Sequence, residues 1–180
     1  MPWLALAAAL RLPAQVTEIP QTVAPGKLLM KIDGLRLSYD RADAAGNTYT
    51  AVGVASTIVA AGLTRSVDLQ VAFDLFLRRT YEYQGRSESR SGVGDLAFRA
   101  KWTFWRDDSI GAAAAVIPYV RLPTGTGGVG RDAMEGGIIV PWSMGVGGGV
   151  TAGAMLQWDI LRNDADNGYD GRCFLSGYLR

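Results

Sequence analysis

Two stretches between Val67 and Arg106 alternate apolar and polar residues almost without a break, and no other feature limits the chain as much. In the first, Val67, Leu69, Val71, Phe73, Leu75 and Leu77 share one face, with Phe76 the one intruder. Asp68, Gln70, Ala72, Asp74 and Arg78 share the other. In the second, Leu96, Phe98, Ala100, Trp102 and Phe104 oppose Asp95, Ala97, Arg99, Lys101 and Thr103. Successive strand side chains point to opposite faces, so a period of two sustained over about ten residues means β-strand. One face is apolar and the other carries formal charges, the cross-section expected of a wall between oil and water.

The remainder of the chain repeats this theme more weakly. Residues 1–14 hold an apolar core, Trp3 to Leu10, and read as a signal peptide that lacks its basic start. Residues 15–26 contain two prolines and no periodicity, which makes them a lead-in linker to a β-barrel domain over 27–180. Eight strands follow, near 28–39, 49–63, 67–81, 95–105, 110–122, 134–144, 150–160 and 171–179. The alternation changes phase at Gly34, which predicts a β-bulge there. Pro118 and Pro141 fall inside strands, where a missing N–H is awkward.

The connections between these strands are alternately long and short, the pattern of an up-and-down meander whose two ends differ. The expected fold is therefore all-β, an antiparallel up-and-down transmembrane β-barrel. Strands that cross a membrane need about 9–11 residues, and the two opening stretches reach that length. Their aromatic residues also gather toward the two ends: Trp102, Phe104 and Trp142 at one, Tyr39, Tyr49, Tyr81 and Trp158 at the other. No apolar run reaches the 18 or so residues of a membrane helix. A soluble barrel with its apolar face inward would show the same alternation, so a periplasmic lipid-binding barrel stays open on this ground.

Three segments carry a family resemblance. TEIPQTVAPGKLLMKIDGLRLSYDR, GVGDLAFRAKWTF and AVIPYVRLPTGTGGVG, in that order and spacing, resemble the meta-pathway phenol-degradation family of outer-membrane proteins, often labelled transporters. The strand start at Gly92, Gly94 and Asp95 and the strand end at Pro123, Thr124 and Gly125 match its pattern. The resemblance implies a barrel in the outer membrane of a Gram-negative bacterium. It also implies a channel or transporter for small hydrophobic or aromatic compounds, with membrane lipid and lipopolysaccharide around it. The chain stops at Tyr178-Leu179-Arg180 without the terminal aromatic residue usual in such barrels, and the family looks longer, so a piece of a larger barrel is expected. A structural or adhesive barrel with a plugged lumen is the other reading.

The candidate lumen lining is Asp68, Gln70, Asp74, Arg78, Asp95, Arg99, Lys101, Tyr119, Arg121, Glu135, Gln157 and Asp159. These residues either select a solute or form an ion-pair network that lets charges survive in a narrow interior. Acids and bases nearly balance, which favours the network. Net charge is +1, which gives no argument for nucleic acid, and the absence of histidine removes the commonest general base. No enzyme, cofactor or metal site is expected. Gly125 to Gly130 fits G-x-G-x-x-G but precedes a strand rather than a helix, so it reads as a flexible loop. Asp164, Asp166, Asn167 and Asp170 resemble a calcium loop without its closing glutamate. Arg78, Arg79, Arg86 and Arg90 are placed to meet lipopolysaccharide phosphates or to form a solvated rim. Cys173 reads as a small apolar strand residue. A folded barrel should change mobility on a denaturing gel when boiled; a chain that shows no such shift is not a barrel.

Overall fold

The computed structural model describes residues 17–41, 48–83, 86–163 and 167–180. Among these the regular structure is all strand: β1 (Leu28–Arg41), β2 (Thr48–Gly62), β3 (Val67–Tyr83), β4 (Arg86–Gly92), β5 (Leu96–Asp107), β6 (Ala112–Leu122), β7 (Glu135–Gly147), β8 (Val150–Arg162) and β9 (Tyr169–Leu179). Every pairing is antiparallel between consecutive strands, except that β3 pairs with both β4 and β5. The order β1-β2-β3-β5-β6-β7-β8-β9 is an up-and-down meander curled into a half-barrel. Within the described residues, the outer edges of β1 and β9 have no strand partner.

The period-two reading located eight of these strands closely and missed one. Residues 82–93 were expected to be a loop, but Arg86 to Gly92 form β4 and extend the β3 hairpin. Its sequence, RSESRSG, is polar throughout and every residue up to Ser91 is exposed. A strand with neither face buried has no alternation to detect.

The phase change at Gly34 is present in another form. Gly34, Ala55 and Leu75 form one row across β1, β2 and β3 that is left out of both ladders, while the register on either side is unchanged. A bulge would add a residue to one strand only. Here all three strands are irregular at the same level, so all three exchange faces together. Ala55 takes φ 53°, in the left-handed region. True bulges lie elsewhere, at Phe104 in β5 against β6 and at Val146 in β7 against β8.

The exchange of faces explains the intruder in β3. Below the row Leu69 is exposed outside and Asp74 turns inward; above it Phe76 is exposed outside and Leu77 is buried inside. The same step leaves Leu28, Met30 and Ile32 on the outer face together with Leu35, Leu37 and Tyr39, although their parities differ. The convex face is apolar except at the Arg78–Glu82 end of β3, with Phe98, Trp102, Ile138, Trp142, Leu156 and Trp158 exposed across β5, β7 and β8.

The two strand prolines are absorbed differently. Pro141 is fully buried on β7 and keeps its pairing with Met155 of β8. On its other side the β6–β7 ladder skips from the Ala114–Trp142 pair to the Ile117–Ile139 pair. The missing N–H therefore costs a local gap in one ladder. Pro118 is exposed and stands opposite Ile138.

A non-glycine residue in the left-handed region stores about 1–2 kcal/mol. Ala55→Gly should raise stability by about 1 kcal/mol, and the β-branched Ala55→Val should lower it by at least about as much. The urea midpoint of the folded chain measures both.

Candidate functional site

The concave side of the sheet carries the chain's buried charge. Asp68, Gln70, Lys101, Glu135, Gln157 and Asp159 are all at most 5% exposed. Strand alternation aims them inward, and their chemistry then demands partners, because an unpaired buried charge is costly. Much of that demand is met by residues 17–26, the segment read as a lead-in linker. It has no regular structure, but it is not loose: it crosses the concave face from β9 to β2 as a strap.

The strap is tied to β9, β8, β7, β5, β3 and β2 in turn. Thr17 Oγ1 donates to Ser176 Oγ on β9 at 2.9 Å, and Glu18 N donates to Met155 Sδ on β8 at 3.2 Å. Gln21 Nε2 reaches Ser143 Oγ on β7 at 3.2 Å. On β5, Lys101 Nζ donates to the carbonyls of Ile19 at 2.9 Å and Gln21 at 3.3 Å, and Thr103 Oγ1 donates to the carbonyl of Pro20. Val23 N donates to Asp68 Oδ2 on β3 at 2.9 Å. Gly26 and Lys27 then exchange backbone hydrogen bonds with Gly62 and lead into β1. Pro20, at the centre, is fully buried.

Glu18 anchors the strap electrostatically. Its carboxylate lies 2.8 Å from Arg99 Nη2, and the two side chains are 12% and 9% exposed. Burial alone would raise the Glu18 carboxyl, but the charge and hydrogen bond of Arg99, followed by Lys101 and Lys31, hold it below the ordinary range. Beneath the strap, Ile117, Ile139 and Met155 form a small apolar cluster against which Tyr119 packs.

A second loop folds in from the opposite end. Residues 123–134 join β6 to β7, and within them Val129 is fully buried and lines the interior. Asp95 fixes this fold: Oδ1 accepts from Gly125 N at 2.7 Å and Oδ2 from Arg131 N at 2.8 Å. Thr126 exchanges two further bonds with Val93. Gly127, at φ +63°, lies so close to the hairpin that a Cβ would stand 2.0 Å from the Ser91 carbonyl oxygen. The glycine run read as a flexible loop is thus a fastened inward fold.

Between strap and loop lies a cavity of about 340 Å³. Of the residues expected to line a lumen, Asp74, Asp95, Arg99, Tyr119, Arg121, Gln157 and Asp159 line it. Asp68, Gln70 and Lys101 are buried at the level of the strap, and Glu135 is buried beneath Arg121 and Arg131. Arg78 does not join them. The face exchange at Leu75 leaves it exposed, near Ser89 of the β3–β4 hairpin, and brings Leu77, Arg79 and Tyr81 to the cavity instead.

Ion pairs line the interior, but of the twelve candidate residues only Arg121 and Glu135 pair with each other. Arg36 meets Asp74 at 2.9 Å, and Arg121 and Arg131 both approach Glu135, at 3.2 and 3.7 Å. Tyr119 and Gln157 both donate to Asp159 Oδ1. Glu18, Arg36, Arg79, Val129, Arg131 and Arg172 were not anticipated. Arg36 alternates with Leu35 and Leu37 and could have been found. Arg79, read as a rim arginine, turns inward because of the face exchange at Leu75. Arg172 lies on β9, whose faces were not assigned, and Glu18, Val129 and Arg131 lie in aperiodic segments. Asp164 and Asp166 lie outside the described residues; Asn167 and Asp170 are exposed, and no metal-binding cluster occurs among the described residues. Cys173 is a free, exposed residue of β9.

The sequence profile of the family described as "Putative MetA-pathway of phenol degradation" matches residues 14–171. The chain belongs to this family. The matched span includes the strap, the Asp95 loop anchor and all strands up to the start of β9, so the family pattern covers both inward folds. No curated protein and no solved structure matches the chain.

Because the folded Glu18 carboxyl lies below its ordinary 4.5, its ionised form stabilises the seated strap at pH above 4.5. That contribution is lost as pH falls below 4.5 through the depressed value. Hydrogen-exchange protection of the Glu18 and Val23 amides should therefore decline in acid, and Glu18→Gln should remove the acid-dependent part.

Proposed function

We propose that the protein is an outer-membrane β-barrel protein of a Gram-negative bacterium, acting as a channel or transporter for small hydrophobic or aromatic compounds. The observation that carries this reading is the polarity of the sheet. Outside the β3–β4 hairpin its convex face is apolar from β1 to β9, while its concave face holds the buried charges and lines a cavity. Exposed apolar patches on soluble proteins seldom exceed a few hundred Å², and a face of this extent suits lipid. The strands in this wall have 11 to 17 residues, β4 aside, enough for the roughly 9–11 needed to cross a bilayer. A soluble lipid-binding barrel would place its apolar face inside, the reverse of this arrangement.

The family's description refers to phenol degradation, which supports aromatic compounds as the solutes. The lumen is read as a surface for binding and passage, with no catalytic role. Lipid surrounds the convex face, and Arg78, Arg86 and Arg90 on the exposed β3–β4 hairpin are placed to meet lipopolysaccharide phosphates.

The strap favours one competing reading, a structural or adhesive barrel with a closed lumen working through its loops. Reconstitution separates the two. Purified protein in liposomes should pass a small neutral aromatic solute, and deletion of residues 17–26 should raise that flux severalfold. Sealed liposomes with both proteins would remove the channel reading and leave the closed barrel.

A further inference from the structure

We propose that the cavity between the strap and the Val129 loop is a binding site for a small organic carboxylate, preferentially an aromatic acid. The inference rests on the lumen reading above but not on transport through it. Six guanidinium groups line the cavity, those of Arg36, Arg79, Arg99, Arg121, Arg131 and Arg172. Three carboxylates serve four of them by ion pairing. Asp74 takes Arg36, Glu18 takes Arg99, and Glu135 is shared between Arg121 and Arg131. Arg79 and Arg172 have no ion-pair partner among the described residues, although Arg172 stands directly opposite Asp159 across the β8–β9 ladder.

The remaining carboxylates on this side of the cavity keep their charge and are held by neutral donors. Both oxygens of Asp95 accept loop amides, and Asp159 accepts from Tyr119 and Gln157. On β1, Lys31 and Asp33 offset one another, and Asp74 is held by Arg36 and Ser56. Lys31 and the six arginines face Glu18, Asp33, Asp74, Asp95, Asp159 and the buried Glu135, seven cations against six carboxylates, so the surplus belongs to the cavity as a whole.

A second observation points the same way. Arg79 and Arg99 each carry a buried Nε with no hydrogen-bond acceptor among the described residues. The arginine wall is therefore not fully satisfied by the protein's own acceptors. A carboxylate offers two oxygens in the plane of a guanidinium, the geometry arginine binds best. Tyr119 and Phe174 line the same space and supply flat apolar contact for a ring. A volume of about 340 Å³ suits a single-ring acid.

Benzoate, benzyl alcohol and benzylamine are of equal size and differ in charge. Titrated calorimetrically into the full chain folded in detergent, benzoate should bind at least about tenfold more tightly than benzyl alcohol, and benzylamine should not bind. The Arg131→Gln, Arg172→Gln double variant should lose that preference, with its folding checked by the heat-dependent gel shift. Glu18→Gln, which removes the carboxylate competing for Arg99, should tighten benzoate. Equal affinity for the three compounds overturns the proposal without any variant, as does a double variant that is folded and binds benzoate as the parent does. Flux of neutral solute with no benzoate preference sinks this site and leaves the channel standing. Benzoate binding in sealed liposomes does the opposite.

Discussion

A charge turned into a narrow interior must find a partner there, and most of the arrangement inside this half-barrel answers that requirement. Lys101 is the sharpest case. Alternation along β5 sends it inward, where it is 5% exposed and has no carboxylate at ion-pair distance among the described residues. Its partners are the carbonyls of Ile19 and Gln21. The strap supplies carbonyl acceptors to the cations and hydroxyls of β5 and an amide donor to Asp68 of β3. An irregular backbone suits this role, since its polar groups are not consumed by a ladder.

The strands were legible because their two faces meet different surroundings. Where that contrast fails, the reading fails with it. β4 is wet on both sides and left no trace in the pattern. Arg78 was assigned inward because strict parity was carried past Leu75. Two signs of the face exchange were visible, the phase change at Gly34 and the misplaced Phe76, but only the pairing shows that they share one row. The site was legible by half. Residues on strands could be given a face, whereas the strap and the Val129 loop are aperiodic, and their partners lie far away in sequence.

The two inward folds impose opposite demands on the lumen. The strap satisfies buried charges at the short-turn end, and the Val129 loop narrows the other end through Asp95 and a set of close backbone contacts. Between them the wall keeps both charge and space. A pure ion-pair core would leave neither a cavity nor an arginine nitrogen without an acceptor. An open pore would not spend so many hydrogen bonds on closing itself.

The strap also orders events during folding. Its contacts join residues 36 to 159 positions apart, from Gly26 with Gly62 to Thr17 with Ser176. Neighbouring strands can pair as the meander grows, but the strap has no complete seat until β8 and β9 are in place. Contacts of such long sequence separation form late, because the chain entropy they remove is recovered only at the end. The segment made early is thus among the last to settle, and until it does Lys101, Thr103 and Asp68 keep their water. Drying of this interior is the closing step of folding rather than its beginning.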